Sequence, residues 1–425
     1  MTTTAITELT AKGQTARAVA RKLARLPTSV KDQALSNIAD ALKGREADIL
    51  AANARDTQAG KEKGLSEALL DRLLLNPSRL EGMAVGVQAV AALPDPIGET
   101  FDQRTMPNGL QVGRRRVPLG VIGAIYESRP NVTVDISVLC LKSGNAVILR
   151  GGSEAIHSNT ILAQVVRDSI AQAGMPQDAV QFVDSTDRAL VERMLSMKEH
   201  IDLMIPRGGA DFIRFVGEKA QMPVVTGGVG VCHTYVDVDA DVENAVAIAY
   251  NAKVQRPTVC NALDTLLVHS GVAPVYLLAI AQEWAKAGVE MHCDPQALSI
   301  LGPSEVLNLK PATDEDWGME FLSLTAAVKV VDSMDEALEH IERYGSGHSE
   351  AIITEDYSKA MRFLDDVDAA VVYVNASTRF TDGSQFGLGA EVAISTNKMH
   401  ARGPMGLREL TSYKWTVLGT GQVRG

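Results

Sequence analysis

Between Val117 and Val374, short apolar runs rich in β-branched residues alternate with longer stretches whose apolar residues recur at helical spacing. This rhythm constrains the fold more than any other feature, because a strand apolar on both faces needs helices covering both sides of its sheet. Val121–Tyr126, Ala146–Leu149, Val180–Val183 and Leu203–Ile205 read as the strands of a first series, which Val224-Val225 closes. Helices are expected between them at Thr133–Lys142, Asn159–Ala173, Arg188–Ser196 and Ala210–Lys219. A second series places strands at Thr234–Val236, Thr265–Val268, Val328–Val331, Ala351–Thr354 and Val371–Val374. Its helices are expected at Val242–Asn251, Val272–Ala287, Met334–Tyr344 and Tyr357–Leu364. The reading is an α/β protein with two parallel-sheet, Rossmann-like domains. Aromatics are only 4% of the chain, which suits sheets packed on both faces by small and branched residues.

Residues 7 to 90 are helical in pattern, interrupted at Pro27-Thr28-Ser29 and near Asn76-Pro77-Ser78, where a proline sits in a first helical turn behind a cap. Asn108-Gly109 signals a hairpin with arms Gln103–Met106 and Leu110–Val117. Arg114 to Arg116 make one arm too polar for a core, so the hairpin reads as a small oligomerisation arm. The glycine-rich stretch Thr226–Gly230 is the seam between the two series. Residues 1–98 and 117–226 are therefore expected to form a discontinuous nucleotide-binding domain, and 227–390 a catalytic domain. Residues 99–116 and 391–425 are expected as the oligomerisation hairpin and tail, with Glu409–Thr420 ending in an edge strand.

Several classes are excluded. The net charge is −11, from 41 basic and 52 acidic residues, with no long basic patch to attract nucleic acid. No apolar run reaches spanning length and no signal peptide opens the chain, so no membrane is expected. Lys12–Arg25 could pass for a transit peptide, but its helical spacing continues through Leu35, Ile38 and Leu42 and reads as a surface helix. Cys140, Cys232, Cys260 and Cys293 are widely spaced with no CxxC pair, which points to a reducing, cytoplasmic location. The neighbours Cys232-His233 and His292-Cys293 would point to opposite faces of a strand, so no metal site is expected.

Cys260 follows a loop containing Pro257 and stands just before the apolar run Thr265–Val268. It is either a small core residue or a nucleophile held by a rigid element yet open to substrate. Diglycines end three segments of the first series, at Gly151-Gly152, Gly208-Gly209 and Gly227-Gly228. They are ordinary turns or the rim of a nucleotide crevice. Neither a GxGxxG fingerprint nor a phosphate loop is present.

The order Val117–Tyr126, Gly144–Gly152, Gly227-Gly228, Cys260, Glu320-Phe321 resembles the aldehyde dehydrogenase superfamily. Tyr126–Thr133, Ile205–Gly209, Cys260–Ala262, His340–Glu350 and His400–Leu407 resemble, within it, the γ-glutamyl phosphate reductase family. The resemblance implies that Cys260 attacks γ-glutamyl phosphate, that a thioester forms, and that hydride from NADPH yields glutamate 5-semialdehyde, the second step of proline biosynthesis. An oxyanion hole would draw on the Cys260 N–H and on Asn131 or Arg129, with Asn131 as a plain turn residue the alternative. Oxidising members carry a glutamate just before the seam diglycine. Here the residues are Val224-Val225-Thr226, none of which can take a proton from water, so the thioester would be spared hydrolysis.

Arg150-Gly151-Gly152-Ser153 replaces the Lys-x-x-Glu that holds adenine-ribose hydroxyls in NAD enzymes. A serine beside an arginine tolerates a 2′-phosphate, which favours NADPH, although Glu154 lies one place on. Gly208, Gly209, Gly227, Gly228, Glu320 and Phe321 complete the implied cofactor site, and Arg129, Arg256, Arg379 and Arg402 are candidates for substrate anions. His348 reads as structural or substrate-side. A homo-oligomer is implied, and handover from a glutamate 5-kinase is conceivable. A CoA-acylating aldehyde dehydrogenase and an inactive scaffold of the same fold stand as alternatives.

Overall fold

The computed structural model describes residues 2–227 and 229–424, so Gly228 of the expected site lies outside the described residues. The chain divides into two compact units, one of Met1–Thr226, Gly387–Ala393 and Met405–Gly425, the other of Gly227–Phe386 and Ile394–Pro404. Residues 391–425, read together as a tail, are thus shared between the units. The short pair Ile394-Ser395 and Gly403-Pro404 belongs to the second.

In the first unit, helices Thr2–Leu23, Thr28–Gly44, Glu46–Glu62, Glu67–Leu73 and Pro77–Ala92 precede the sheet. Asn76 caps the last of these, its Oδ1 accepting from the Arg79 N–H at 2.8 Å, with Pro77 in the first turn where no N–H is needed. The parallel sheet has the order Val180–Phe182, Ala146–Gly151, Val121–Tyr126, Leu203–Arg207. Every residue of the two inner strands is buried, as expected for strands covered on both faces. The strand order reverses between Val121–Tyr126 and Leu203–Arg207, the kind of switch point beside which open α/β sheets bind ligands.

A three-stranded antiparallel sheet of Thr100–Thr105, Gln111–Pro118 and Thr411–Leu418 belongs to the same unit. Its turn closes through a Gly109 N–H to Met106 carbonyl bond of 2.8 Å, with Pro107 second and Gly109 at φ +85. Both arms begin and end within a few residues of the expected positions. Thr411–Leu418 is an edge strand.

The second unit is a seven-stranded, all-parallel sheet in the order Asn308–Pro311, Glu290–Cys293, Thr325–Val331, Leu263–His269, Cys232–Val236, Ser349–Ile353, Val371–Val374. Successive side chains serve opposite faces. Leu266 and Val268 join the core under the helices Val242–Val254 and Ala273–Lys286, while Leu267 joins Phe363 and Ile341 on the other side. Each such fully buried side chain contributes about 1.5–3 kcal/mol. The strands Glu290–Cys293 and Asn308–Pro311, with the helix Pro295–Leu301 between them, were not expected from the sequence.

Candidate active site

Cys260 lies at the amino edge of the second unit's sheet, three residues before the strand Leu263–His269. The groups gathered around it also occupy loops that lead into strands: Gly230 before Cys232, Glu320 and Phe321 before Thr325, and His348 before Ser349. Open α/β sheets usually place ligands at the carboxyl ends. Here the thiol is at the opposite end.

Of the four cysteines, Cys140, Cys232 and Cys293 are buried and only Cys260 is partly accessible. Burial pushes the Cys293 thiol up to about 12 and the Cys140 and Cys232 thiols well above their ordinary value, so none of these three supplies thiolate near neutrality. Cys232 has a structural task, its thiol donating to the Cys260 carbonyl at 3.2 Å. His348 is buried behind it, with Nδ1 2.8 Å from Ser349 Oγ, and burial lowers its pKa to about 4. The imidazole is neutral and enclosed, which fits the structural reading and removes it as a base for substrate.

The backbone at Cys260 is held from two sides. A Cβ on Gly230 would sit 1.6 Å from the Cys260 carbonyl oxygen, so only glycine permits this approach. The Gly230 N–H donates to Glu320 Oε1 at 2.9 Å. The next residue, Phe321, donates its N–H to Asp264 Oδ1 at 3.1 Å. Asp264 faces Lys253 at 3.7 Å with both side chains buried, and Lys253 also donates to the Leu263 carbonyl at 2.8 Å. Burial raises the Asp264 carboxyl to about 7 against the pull of Lys253. This buried pair fixes the Glu320–Phe321 turn relative to the Cys260 loop.

On the other side, Asn261 donates its amide to the carbonyls of Arg379 (3.3 Å) and Thr381 (2.9 Å), and Thr378 Oγ1 donates to the Asn261 carbonyl at 2.7 Å. Arg379 lines a cavity of about 230 Å³. Burial, and then Arg256 nearby, draw its guanidinium below the ordinary value, while the neighbouring Cys260 thiol acts in the opposite sense. Arg256 is exposed. Arg402 donates to the Asp368 carboxylate at 2.7 Å and carbonyl at 3.0 Å, which makes it a structural residue rather than a free anion ligand.

The first unit holds the remaining candidates. Asn131 opens the helix Asn131–Lys142 and donates its amide to Asp135 Oδ2 at 2.7 Å, leaving the second amide hydrogen for another acceptor. Arg129 is half-buried in the preceding turn. Arg150 is 8% exposed and reaches the Thr186 carbonyl at 3.5 Å. The diglycines mostly accommodate the chain itself. A Cβ would meet Asn159 at Gly151, Glu154 at Gly152 and Glu127 at Gly208, and in the second unit Gly227 would meet the Ile394 carbonyl; among the described diglycine residues Gly209 alone faces open space.

Beside Ser153 lies a cavity of about 460 Å³, lined among others by Lys63, Leu65, Ser128, Glu154 and His157. Glu154 Oε1 accepts from both the N–H (2.6 Å) and the hydroxyl (3.0 Å) of Ser128. Lys63, His157 and this bond were not legible in the sequence, because they come from separate segments. Among the described residues no cluster of His, Cys, Asp or Glu is arranged to hold a metal, and no helix is long and apolar enough to cross a membrane.

One buried group away from Cys260 sets a pH response. His340 packs between the rings of His233, Trp317 and Tyr344, and its Nε2 has no partner. Burial, with His233 adding, lowers its pKa from 6.5 to about 3. The folded state therefore keeps it neutral while the unfolded chain takes a proton below pH 6.5, so stability present above 6.5 is lost as pH falls. The loss reaches about 2–3 kcal/mol by pH 4.5. His340→Phe is expected to reduce the fall in melting temperature between pH 7 and 4.5, measured by calorimetry, with buried His348 left to account for part of the remainder; a parallel decline in both proteins would exclude His340 as a source.

The aldehyde dehydrogenase family profile matches residues 4–304 and 324–416. The chain is 62% identical over 421 residues to the γ-glutamyl phosphate reductase of Dehalococcoides mccartyi strain CBDB1, covering 99% of each chain. It is 54% identical to that of Roseiflexus castenholzii, covering 99% of this chain and 100% of the relative. The crystal structure of the Thermotoga maritima γ-glutamyl phosphate reductase superposes with a TM-score of 0.95 at 47% identity, covering 98% of this chain and all of that one.

Proposed function

Because the chain belongs to the aldehyde dehydrogenase family, and within it to the γ-glutamyl phosphate reductases, we propose that Cys260 is the nucleophile through which it works. The reaction is reduction of γ-glutamyl phosphate to glutamate 5-semialdehyde and phosphate, a step of proline biosynthesis. The observation that carries the residue assignment is the contrast among the thiols: three are sealed, and the fourth stands at a loop tip beside a guanidinium.

The Cys260 thiolate adds to the acyl carbonyl, the tetrahedral oxyanion collapses, and phosphate leaves to give a thioester. The resemblance to the family assigns the oxyanion to the Cys260 N–H and the Asn131 side chain. Val224, Val225 and Thr226 offer water no base, so the thioester persists until reduced. Bound NADPH supplies the hydride. Its fit rests on the cavity beside Ser153, whose lining combines an apolar wall at Leu65 and Leu69 with the Ser153 hydroxyl and the side chains of Lys63 and His157 as donors for a 2′-phosphate. Glu154 is engaged by Ser128, and Glu320 by Gly230, so both carboxylates are held in fixed orientations.

Assay in reverse, with pyrroline-5-carboxylate, NADP and phosphate, tests the reading; turnover with CoA but not with phosphate would transfer the chain to the CoA-acylating enzymes. Ser153→Glu is expected to raise the NADH over NADPH ratio of kcat/KM roughly tenfold, by setting a second carboxylate against the 2′-phosphate. An unchanged ratio would remove Ser153 from that subsite.

The edge strand Thr411–Leu418 exposes Trp415, Val417 and Leu418, which supports assembly into a homo-oligomer through this strand. Four widely spaced cysteines with no CxxC pair support a cytoplasmic setting. The short life of acyl phosphates in water supports direct receipt of substrate from a glutamate 5-kinase.

A further inference from the structure

Resting on that reading, we propose that Asp382 and Arg379 form the subsite for the amino-acid head of the substrate, Asp382 taking the α-ammonium and Arg379 the α-carboxylate. A 2-amino acid presents two opposite charges on one carbon, and its recognition calls for a cation and an anion facing one small space. The cavity of about 230 Å³ supplies both, with Asn251, Gln255, Phe380 and Ser384 completing its wall.

Each charged group is held in place before substrate arrives. Arg379 Nε donates to Gln255 Oε1 at 2.8 Å, which fixes the plane of the guanidinium. Asp382 receives the Ser384 N–H (2.8 Å), the Ser384 hydroxyl (2.5 Å) and the Gln385 N–H (3.3 Å). All three meet Oδ1, which fixes the orientation of the carboxylate. Partial burial of both residues strengthens their attraction for the opposite charge.

The subsite is also tied to the nucleophile. Asn261, adjacent to Cys260, binds the carbonyls of Arg379 and Thr381, and Thr378 binds back to Asn261. These bonds fix the separation between the thiol and the charged pair. The Cys260 thiol and the Asp382 carboxylate both lie within electrostatic range of the Arg379 guanidinium. A chain bound by its head at Arg379 and Asp382 thereby has its far end presented to Cys260. A short anionic aldehyde without the amino group is therefore expected to be a poor substrate.

The test compares two aldehydes in the reverse reaction, glutamate 5-semialdehyde and 5-oxopentanoate, which lacks only the ammonium. The unaltered protein is expected to prefer the first by roughly 10²-fold in kcat/KM, the scale of one charge-assisted hydrogen bond. Asp382→Asn keeps an oxygen for the Ser384 donors. It should lose most of that preference through KM for glutamate semialdehyde, with 5-oxopentanoate changing less than about threefold. Arg379→Met should weaken both aldehydes alike, since both carry the carboxylate. Equal loss of both substrates in Asp382→Asn would make Asp382 merely structural and overturn the assignment, as would an unchanged preference. No phosphate-dependent turnover of either aldehyde by the unaltered protein would overturn the proposed function along with it.

Discussion

Cys260→Ser is expected to lower phosphate-dependent NADP reduction with glutamate 5-semialdehyde by roughly 10³-fold or more, while NADPH affinity by fluorescence titration stays within about twofold. A hydroxyl at this position has the geometry of the thiol but no accessible anion near neutrality, and an ester is a poorer hydride acceptor than a thioester. The same thiol should be the first alkylated by iodoacetamide, because Cys140, Cys232 and Cys293 are buried and their burial disfavours the thiolate. Comparable labelling at all four cysteines would favour an inactive scaffold. Substantial turnover by the serine variant would place the acyl group elsewhere.

Gly230→Ala should be almost as damaging, although it removes no reactive atom. Its Cβ would come within 1.6 Å of the Cys260 carbonyl oxygen, and both partners are backbone, so neither can rotate away. Relief requires moving the Cys260 loop, the Glu320 carboxylate bound to the Gly230 N–H, or both. A misplacement of about 1 Å at a reacting centre costs about 10²-fold in rate, so kcat should fall at least that far. Gly82→Ala is the matched control, since a Cβ there meets nothing within 4 Å and no site residue is near it in the chain. If the two alanine variants retain similar activity, the close approach at Gly230 has no catalytic consequence.

Much of the fold was legible because burial writes itself into periodicity. Val121–Tyr126 and Val371–Val374 emerge with the expected bounds, as apolar runs flanked by turn residues. The helix beginning at Asn131 starts two residues earlier than read, because Pro130 already adopts helical angles and enters its first turn. The segment from Glu290 to Pro311 was missed for a physical reason. Its strands lie toward one edge of the sheet and carry Glu290, His292, Asn308 and Lys310, so neither shows an apolar run. The helix between them did carry a readable signal, Asp294 capping Ala297 with Pro295 in the first turn.

What was legible around Cys260 is local: its place in a loop that leads into a buried strand, with partial access to solvent. The candidate site was illegible where partners come from distant segments. Asp264 falls just outside the apolar run read as Thr265–Val268, and nothing in the chain announces that Lys253 faces it. Asp382 lies in a loop whose meaning depends on Asn261, more than a hundred residues earlier. Arg402 shows the converse. It stands in a specific motif, yet its guanidinium is taken by Asp368.

Placing an accessible thiol where strands begin has an evolutionary consequence. Leu263–His269 anchors the sulfur from behind, and the wall proposed to hold the substrate's amino-acid head lies in the loop of residues 375 to 386. Loop replacement there can retune the acyl group accepted without disturbing the hydrophobic layers beneath. Descendants of such a scaffold can therefore diversify in what they reduce while inheriting how they reduce it.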